Sequence, residues 1–169
     1  MSKSRVFSIT AFIFSVASFF SLPAASDRIT ISGDADVILR IHKEMLAAHL
    51  NNDAAAILGP EDDIIVVAGH GEFSRVSKVQ RIPLFEKYMK QTRFSEYRDL
   101  VPPVVRISDD GSMGWLIAQV HVVGEDFSEG DEGKPFDLTW AWIELYEKRD
   151  HRWIRIGEVS SFKHNPNEK

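Results

Sequence analysis

The second half of this chain alternates apolar and polar residues with a period of two over four long segments. The segments run from Phe94 to Ser108, from Met113 to Asp126, from Phe136 to Lys148 and from Trp153 to Phe162. Side chains two positions apart lie on the same face of a β-strand, so this period predicts strands rather than helices. Short polar turns between the segments predict antiparallel hairpins. An antiparallel sheet of long strands is therefore the main constraint on the fold.

The first half predicts helices around one short strand. Apolar residues at three- and four-residue steps predict a helix from Asp34 to Asn51, a short one over 54–58 and a third from Lys78 to Thr92. The β-branched run from Ile64 to Ala68 predicts a buried strand. Pro102-Pro103 predicts a bend, a bulge or an edge position in the first long segment. Helices first and strands later predict the α+β class, with helices on one face of the sheet.

The N-terminal residues have the three-part pattern of a secretory signal peptide. A basic start is followed by an apolar stretch from Val6 to Leu22 and by small residues over 23–26. We expect residues 1–26 to be cleaved, which leaves a single domain over 27–169. The mature protein is then in the periplasm or outside the cell, with no membrane attachment. The alternative is that the segment stays uncleaved and anchors the protein. The chain has no Cys and thus no disulfide, which suits a bacterial periplasm.

The charge and the histidine spacing of the chain limit the kinds of partner and cofactor that we expect. The formal net charge is −5 and the charged residues are mixed in sign, whereas a nucleic-acid surface needs a basic stripe, so no nucleic acid is expected. The six His residues never fall in a metal-binding spacing. We therefore expect neither a metal nor another cofactor.

Three local patterns carry a resemblance to a known family. They are Asn52-Asp53-Ala54 after the first helix, Asp109-Asp110-Gly111 before Ala118, and the aromatic segment from Trp140 that ends in a charged turn and Trp153. With the order of elements, they make the chain, from about Asp34 to Lys163, similar to the SnoaL-like branch of the nuclear transport factor two-like superfamily. The resemblance implies a cone: a strongly curved antiparallel sheet wrapped around N-terminal helices, as in the cystatin-like roll. It also implies a pocket in the open end and a homodimer across the sheet's outer face.

That superfamily implies no single activity, because it includes ketosteroid isomerase, polyketide cyclases, dehydratases and binding modules. The isomerase pattern has an aspartate base at the end of the first strand and a second acid in the penultimate strand. This chain has Ala68-Gly69-His70 at the first position and Trp140 to Ile143 at the second. The resemblance therefore does not extend to the isomerase mechanism.

Strand parity selects candidate pocket residues. His121 and Gln119 share a strand face with Trp115, and Glu144 shares a face of the next strand with Trp142. Aromatic walls with a few polar groups are typical of small-ligand pockets. We expect His121 and Glu144 to face one cavity together with the two tryptophans. The alternatives are that these side chains line a dimer face or satisfy each other in the core, because parity alone does not say which face is concave.

Two further histidines are candidates. His49, near the end of the first helix, lies one turn from the sheet-facing stripe and is either at the cone mouth or partly exposed. His70 lies in Gly69-His70-Gly71-Glu72, where an imidazole and a carboxylate come close, or in an ordinary glycine turn.

The sequence predicts an exported protein that binds a small molecule and forms a homodimer, because apolar residues lie on both faces of the long strands. The alternative function is a cofactor-independent isomerase, cyclase or dehydratase that uses histidine and carboxylate groups. A third reading is a structural module whose cone is filled by side chains.

Overall fold

The computed structural model describes residues 32–69 and 71–164. The expected signal peptide over 1–26 and the candidate His70 lie outside these residues. The elements in chain order are α1 Ser32–Leu50, α2 Ala54–Leu58, β1 Glu61–Gly69, β2 Glu72–Ser77, α3 Lys78–Gln91, β3 Thr92–Asp99, β4 Val104–Ile107, β5 Met113–Asp126, β6 Lys134–Arg149 and β7 Arg152–His164.

Side-chain caps begin the two shorter helices. The Asp53 carboxylate accepts from the backbone N–H of Ala56 at 2.9 Å at the start of α2. Ser77 and Gln80 form a reciprocal capping box at the start of α3. The helix begins at Lys78, as predicted, because the box at Ser77 satisfies its free N–H groups. Pro83 lies inside α3.

The strands form one sheet in the order β2-β1-β7-β6-β5-β3, with β4 also paired to β5. The antiparallel hairpins β5-β6 and β6-β7 confirm the predicted connections. Pro102-Pro103 separates β3 from β4, and both pair with β5, so the predicted bend is confirmed. The predicted antiparallel sheet is confirmed for the long strands, and the short strand β1 joins it by pairing with β7 in parallel.

The two faces of the sheet differ sharply along β5. Its even-numbered residues Leu116, Ala118, Val120 and Val122 are buried in the core, and the odd-numbered residues face outward. Helix α1 packs on the buried face, where the side chain of Ile38 lies against Gly114. The sheet is curved and unclosed around the helices, as predicted, and its concave side holds the core.

Gly124 permits a close approach near the end of β5. A Cβ atom there would lie 2.5 Å from the carbonyl oxygen of Arg93 and 2.7 Å from the ring of Phe136. Such contacts are too short for a Cβ atom, so the Arg93 carbonyl oxygen and the Phe136 ring can lie this close only because this residue is glycine.

Candidate functional site

Two adjoining cavities lie on the concave side of the sheet, and both are lined by Tyr88 and Trp140. The larger, here called the wide chamber, has a volume of about 470 Å³. Its apolar walls come from α3, β3, β5 and β6, and Lys87 and Asp126 add charged groups. The apolar residues besides the two shared ones are Leu84, Phe94, Val122, Phe136 and Leu138.

The smaller cavity, here called the inner chamber, has a volume of about 70 Å³. Its lining is mostly polar or aromatic and includes His49, Arg81, Trp142, Glu144, Arg155 and Glu158. A wide, largely apolar space next to a narrow one bordered by charged and hydrogen-bonding side chains is the arrangement of a site that orients a small ligand.

Arg155 is the centre of a buried ion network beside the inner chamber. Its guanidinium, which is only 2% exposed, pairs with the carboxylate of Glu144 and, at 2.7 Å, with that of Glu61. It also donates to the carbonyl oxygen of Ile57 at 3.0 Å. The Tyr146 hydroxyl donates to the second Glu144 oxygen at 2.8 Å. Such a network is stable only while every member keeps its partners.

Arg81 joins the network from α3. Its Nη2 atom lies 3.2 Å from the same Glu61 oxygen that Arg155 contacts. Desolvation lowers the pKa of Arg81, and the attraction of Glu61 opposes this. Desolvation also acts to lower the pKa of Arg155, but Glu144 and Glu61 outweigh it, so the net pKa of Arg155 is raised. Both arginines therefore stay charged and matched by the two glutamates.

His49 lines the inner chamber as a neutral imidazole. Its Nδ1 atom lies 2.8 Å from the carbonyl oxygen of Met45, and because a carbonyl can only accept, Nδ1 carries the proton. The ring stacks on Tyr97 with centroids 4.2 Å apart. Burial lowers the pKa of His49 to about 4. At neutral pH the Nε2 atom is thus an unprotonated acceptor.

Several donors around the inner chamber have no acceptor. Arg81 Nη1, Trp140 Nε1 and Trp142 Nε1 are buried, and none has a hydrogen-bond partner among the described residues. A buried donor left unpaired costs about 1–3 kcal/mol. These three N–H groups are therefore unsatisfied donors on side chains that line the chamber.

The structure divides the residues selected from the sequence into two groups. His49, Trp142 and Glu144 line the inner chamber. Trp115, Gln119 and His121 are the second group; they lie on the outward-facing side of β5.

The expectation that His121 and Glu144 share a cavity with both tryptophans is therefore wrong. The register of β5 with β6 pairs His121 with Thr139 and Ala118 with Trp142. Paired residues share a face of the sheet, so the odd-numbered residues of β5 lie on the same face as the odd-numbered residues of β6. Glu144 and Trp142 are even-numbered and therefore lie on the other face, away from His121.

His121 instead bridges two carboxylates on the outer face. Its Nδ1 lies 2.5 Å from Glu96, and its Nε2 lies 2.8 Å from Asp137. Carboxylates only accept, so both ring nitrogens donate and the ring is an imidazolium. The hydrogen bonds to Asp137 and Glu96 raise the pKa of His121.

Sequence reasoning missed Arg155, Arg81 and Glu61. A signal for Arg155 was present, because it shares strand parity with Trp153, which is buried. A charged residue at a core position of an alternating strand requires a buried partner. Nothing in the sequence pattern indicated Glu61, which precedes its partner Arg155 by 94 residues.

Within residues 32–69 and 71–164, no group of three or more His, Asp or Glu side chains is arranged to hold a metal ion. No helix in the same part of the chain is long and apolar enough to span a membrane.

No protein-family model matches the sequence, and no curated protein matches it significantly. Solved structures do match. An NTF2-like protein from Cytophaga hutchinsonii is 20% identical with a TM-score of 0.59, and the match covers 75% of this chain and 95% of that one. The chain has the nuclear transport factor 2-like fold.

Two other structures of this fold have different descriptions. A ketosteroid isomerase-like protein from Erwinia carotovora atroseptica is 13% identical with a TM-score of 0.58, and covers 78% of this chain and 98% of its own. A putative calcium/calmodulin-dependent protein kinase II association domain from Xanthomonas campestris is 19% identical with a TM-score of 0.54. The match covers 78% of this chain and 87% of that one. At such identities the likeness concerns the fold alone.

Proposed function

We propose that this chain is an exported protein that binds a small, partly apolar molecule in the wide and inner chambers. The observation that carries the proposal is the wide chamber of about 470 Å³, which has largely apolar walls and adjoins an inner chamber bordered by charged side chains. Ligand sites typically have volumes of about 300–1,000 Å³ and mostly apolar walls with a few polar groups. The third reading, a cone filled by side chains, does not account for this open volume.

Leu138→Trp tests this function, because the larger side chain fills part of the wide chamber. We expect the neutral fluorescent probe N-phenyl-naphthylamine to bind the wild type and to bind the variant at least about tenfold more weakly. Leu100→Trp is the matched control, since Leu100 is 41% exposed and does not line either chamber. Equal binding by all three proteins would remove the wide chamber as the site.

Export is the part of the proposal that rests on residues 1–26. Mass spectrometry of the protein from its native cell envelope should find a mature N-terminus after Ala25 or Ser26. An intact Met1 in the membrane fraction would contradict cleavage.

An acid–base enzyme is a second candidate, favoured by two groups of the inner chamber. His49 is neutral with a free Nε2 acceptor, and desolvation raises the pKa of Glu158. Glu144 and Glu61 are already paired with arginine. A basic imidazole and a carboxyl group with a raised pKa, beside one bound molecule, are the pair of groups that can move a proton between two of its atoms, as an isomerase, cyclase or dehydratase requires.

Solvent deuterium exchange into a bound ketone, followed by NMR, tests the enzyme reading. Catalysed exchange in the wild type that is lost in His49→Gln would support it. Exchange at the uncatalysed rate with the wild type would leave binding as the function.

We also propose that two copies pair through the outer face of the sheet. Support comes from an apolar row in register across five strands, formed by Ala68, Val159, Ile143, Ile117 and Val104. Its three most exposed members are Val159 at 48%, Val104 at 46% and Ile117 at 45%. A continuous exposed apolar strip of this kind is typical of a protein interface.

A further inference from the structure

The inner chamber is richer in free donors than in free acceptors. Trp140 Nε1, Trp142 Nε1 and Arg81 Nη1 are buried without a partner among the described residues, and all three side chains line this chamber. Arg81 is 8% exposed and Trp142 is 7% exposed. Both tryptophans lie on the inward face of β6, with ring centroids 6.3 Å apart in an edge-to-face arrangement. An occupant that fits these groups must therefore bring hydrogen-bond acceptors.

The charges of the chamber decide what kind of acceptor it is. The two buried arginines are balanced by Glu144 and Glu61, with which they form ion pairs. Glu158 adds no positive charge, and His49 is neutral. A buried carboxylate of the ligand would meet no uncompensated cation, and desolvating it without one is costly. A neutral acceptor avoids this cost.

We propose that the inner chamber recognises an uncharged carbonyl oxygen of a ketone, ester or amide, which accepts a hydrogen bond from Trp142 Nε1. This inference rests on the proposed function and names the chemical class of its ligand. The inner chamber, at about 70 Å³, accommodates a polar head alone. The apolar body then lies in the wide chamber, and Trp140 borders both parts because it lines both cavities.

Four probes with the same apolar body test the proposal: naphthylbutanone, naphthylpropanoate, naphthylbutylamine and butylnaphthalene. They present a ketone, a carboxylate, an ammonium group and no polar head. Calorimetric titration of the full mature protein should show the ketone binding at least about tenfold more tightly than each of the others, which is the effect expected of one buried hydrogen bond.

Trp142→Phe removes the N–H and keeps an aromatic ring. We expect it to reduce the ketone's affinity about tenfold while the affinity for butylnaphthalene stays within about twofold. Trp115→Phe is the matched control, because Trp115 lies on the opposite face of the sheet, and it should change neither value. Circular dichroism and thermal melts confirm that both variants fold.

The outcomes separate the two proposals. Tightest binding of the carboxylate or the amine overturns the carbonyl assignment, as does equal binding of all four probes. In those cases binding of the apolar body still supports the proposed function. If none of the four binds, and N-phenyl-naphthylamine does not bind either, the proposed function itself fails. A ketone preference that survives in Trp142→Phe overturns the role of the indole N–H.

Discussion

At the scale of single residues, the fate of each polar side chain depends on which face of a strand it occupies. His121 and Glu144 were equivalent from the sequence, since each shared parity with a tryptophan. The register places His121 outside with Glu96 and Asp137, and places Glu144 inside with Arg155. One histidine is therefore charged at the surface, while His49 is neutral in the interior because burial lowers its pKa.

The outer-face histidine predicts a specific pH dependence of stability. The folded-state pKa of His121 is raised by Asp137 and Glu96, so its stabilising effect is complete below the unfolded pKa of about 6.5 and is lost as pH rises through the folded value. We expect wild type to have a higher melting temperature than His121→Gln near pH 5.5, and the difference to shrink by about pH 9. A difference independent of pH would contradict the imidazolium assignment.

Arg155 predicts a large stability effect from a single change. Arg155→Leu leaves the carboxylates of Glu144 and Glu61 buried without their main partner. Breaking one side of a buried ion pair costs about 3–5 kcal/mol of unfolding free energy. Denaturant unfolding should show this loss, and Arg149→Leu, at an exposed arginine of β6, should cost far less because water screens its ion pairs. Similar losses in both variants would mean that the network does not stabilise the fold.

At the scale of elements, the alternating segments of the second half were the predictable part. The expected strand from Met113 to Asp126 coincides with β5, because an uninterrupted period of two defines both of its ends. Strand β2 was not predicted, since most of its side chains are exposed and it has no apolar face. The parallel pairing of β1 with β7 joins segments far apart in sequence, which local patterns do not encode.

The first turn of α1 is connected to strands β6 and β7 by hydrogen bonds of Asp34. The Asp34 carboxylate accepts from Lys148 at 2.7 and 2.8 Å and from Trp153 Nε1 at 3.0 Å. The hydrogen bond from Lys148 lowers the pKa of Asp34, with a further contribution from Trp153. The sequence predicted that the helix begins at Asp34, whereas the helix already begins at Ser32 and Asp34 connects it to β6 and β7.

Asp34→Ala should therefore destabilise the protein by about 1–3 kcal/mol, because Trp153 Nε1 and Lys148 lose their acceptor. The folded pKa of Asp34 is depressed, so its contribution is present above the unfolded pKa of about 3.9 and is lost as pH falls through the folded value. Urea unfolding at neutral pH measures the effect. Asp36→Ala is the control, because Asp36 is an exposed residue of the same helix. Equal stability of both variants would contradict the role of Asp34 in joining α1 to the sheet.

At the scale of the whole molecule, the concave and convex sides of one curved sheet have different chemistry. The concave side combines the core, the ion network and the two chambers, and the convex side carries the apolar row from Ala68 to Val104. The sequence indicated both faces, because apolar residues occupy both parities of the long strands. It did not indicate the ion network, whose members come from α3, β1, β6 and β7.

The convex side leads to the last prediction, the assembly state. Light scattering at micromolar concentration should give twice the mass of one chain, and Ile117→Glu should give a monomer, because facing copies bring the new carboxylates into an apolar contact. The control Val79→Glu changes a residue that is 79% exposed on α3, away from the row, and should remain dimeric. Since the chain has a net negative charge, repulsion between copies opposes pairing, and added salt should strengthen the dimer. A wild-type monomer at all salt concentrations would contradict the proposal.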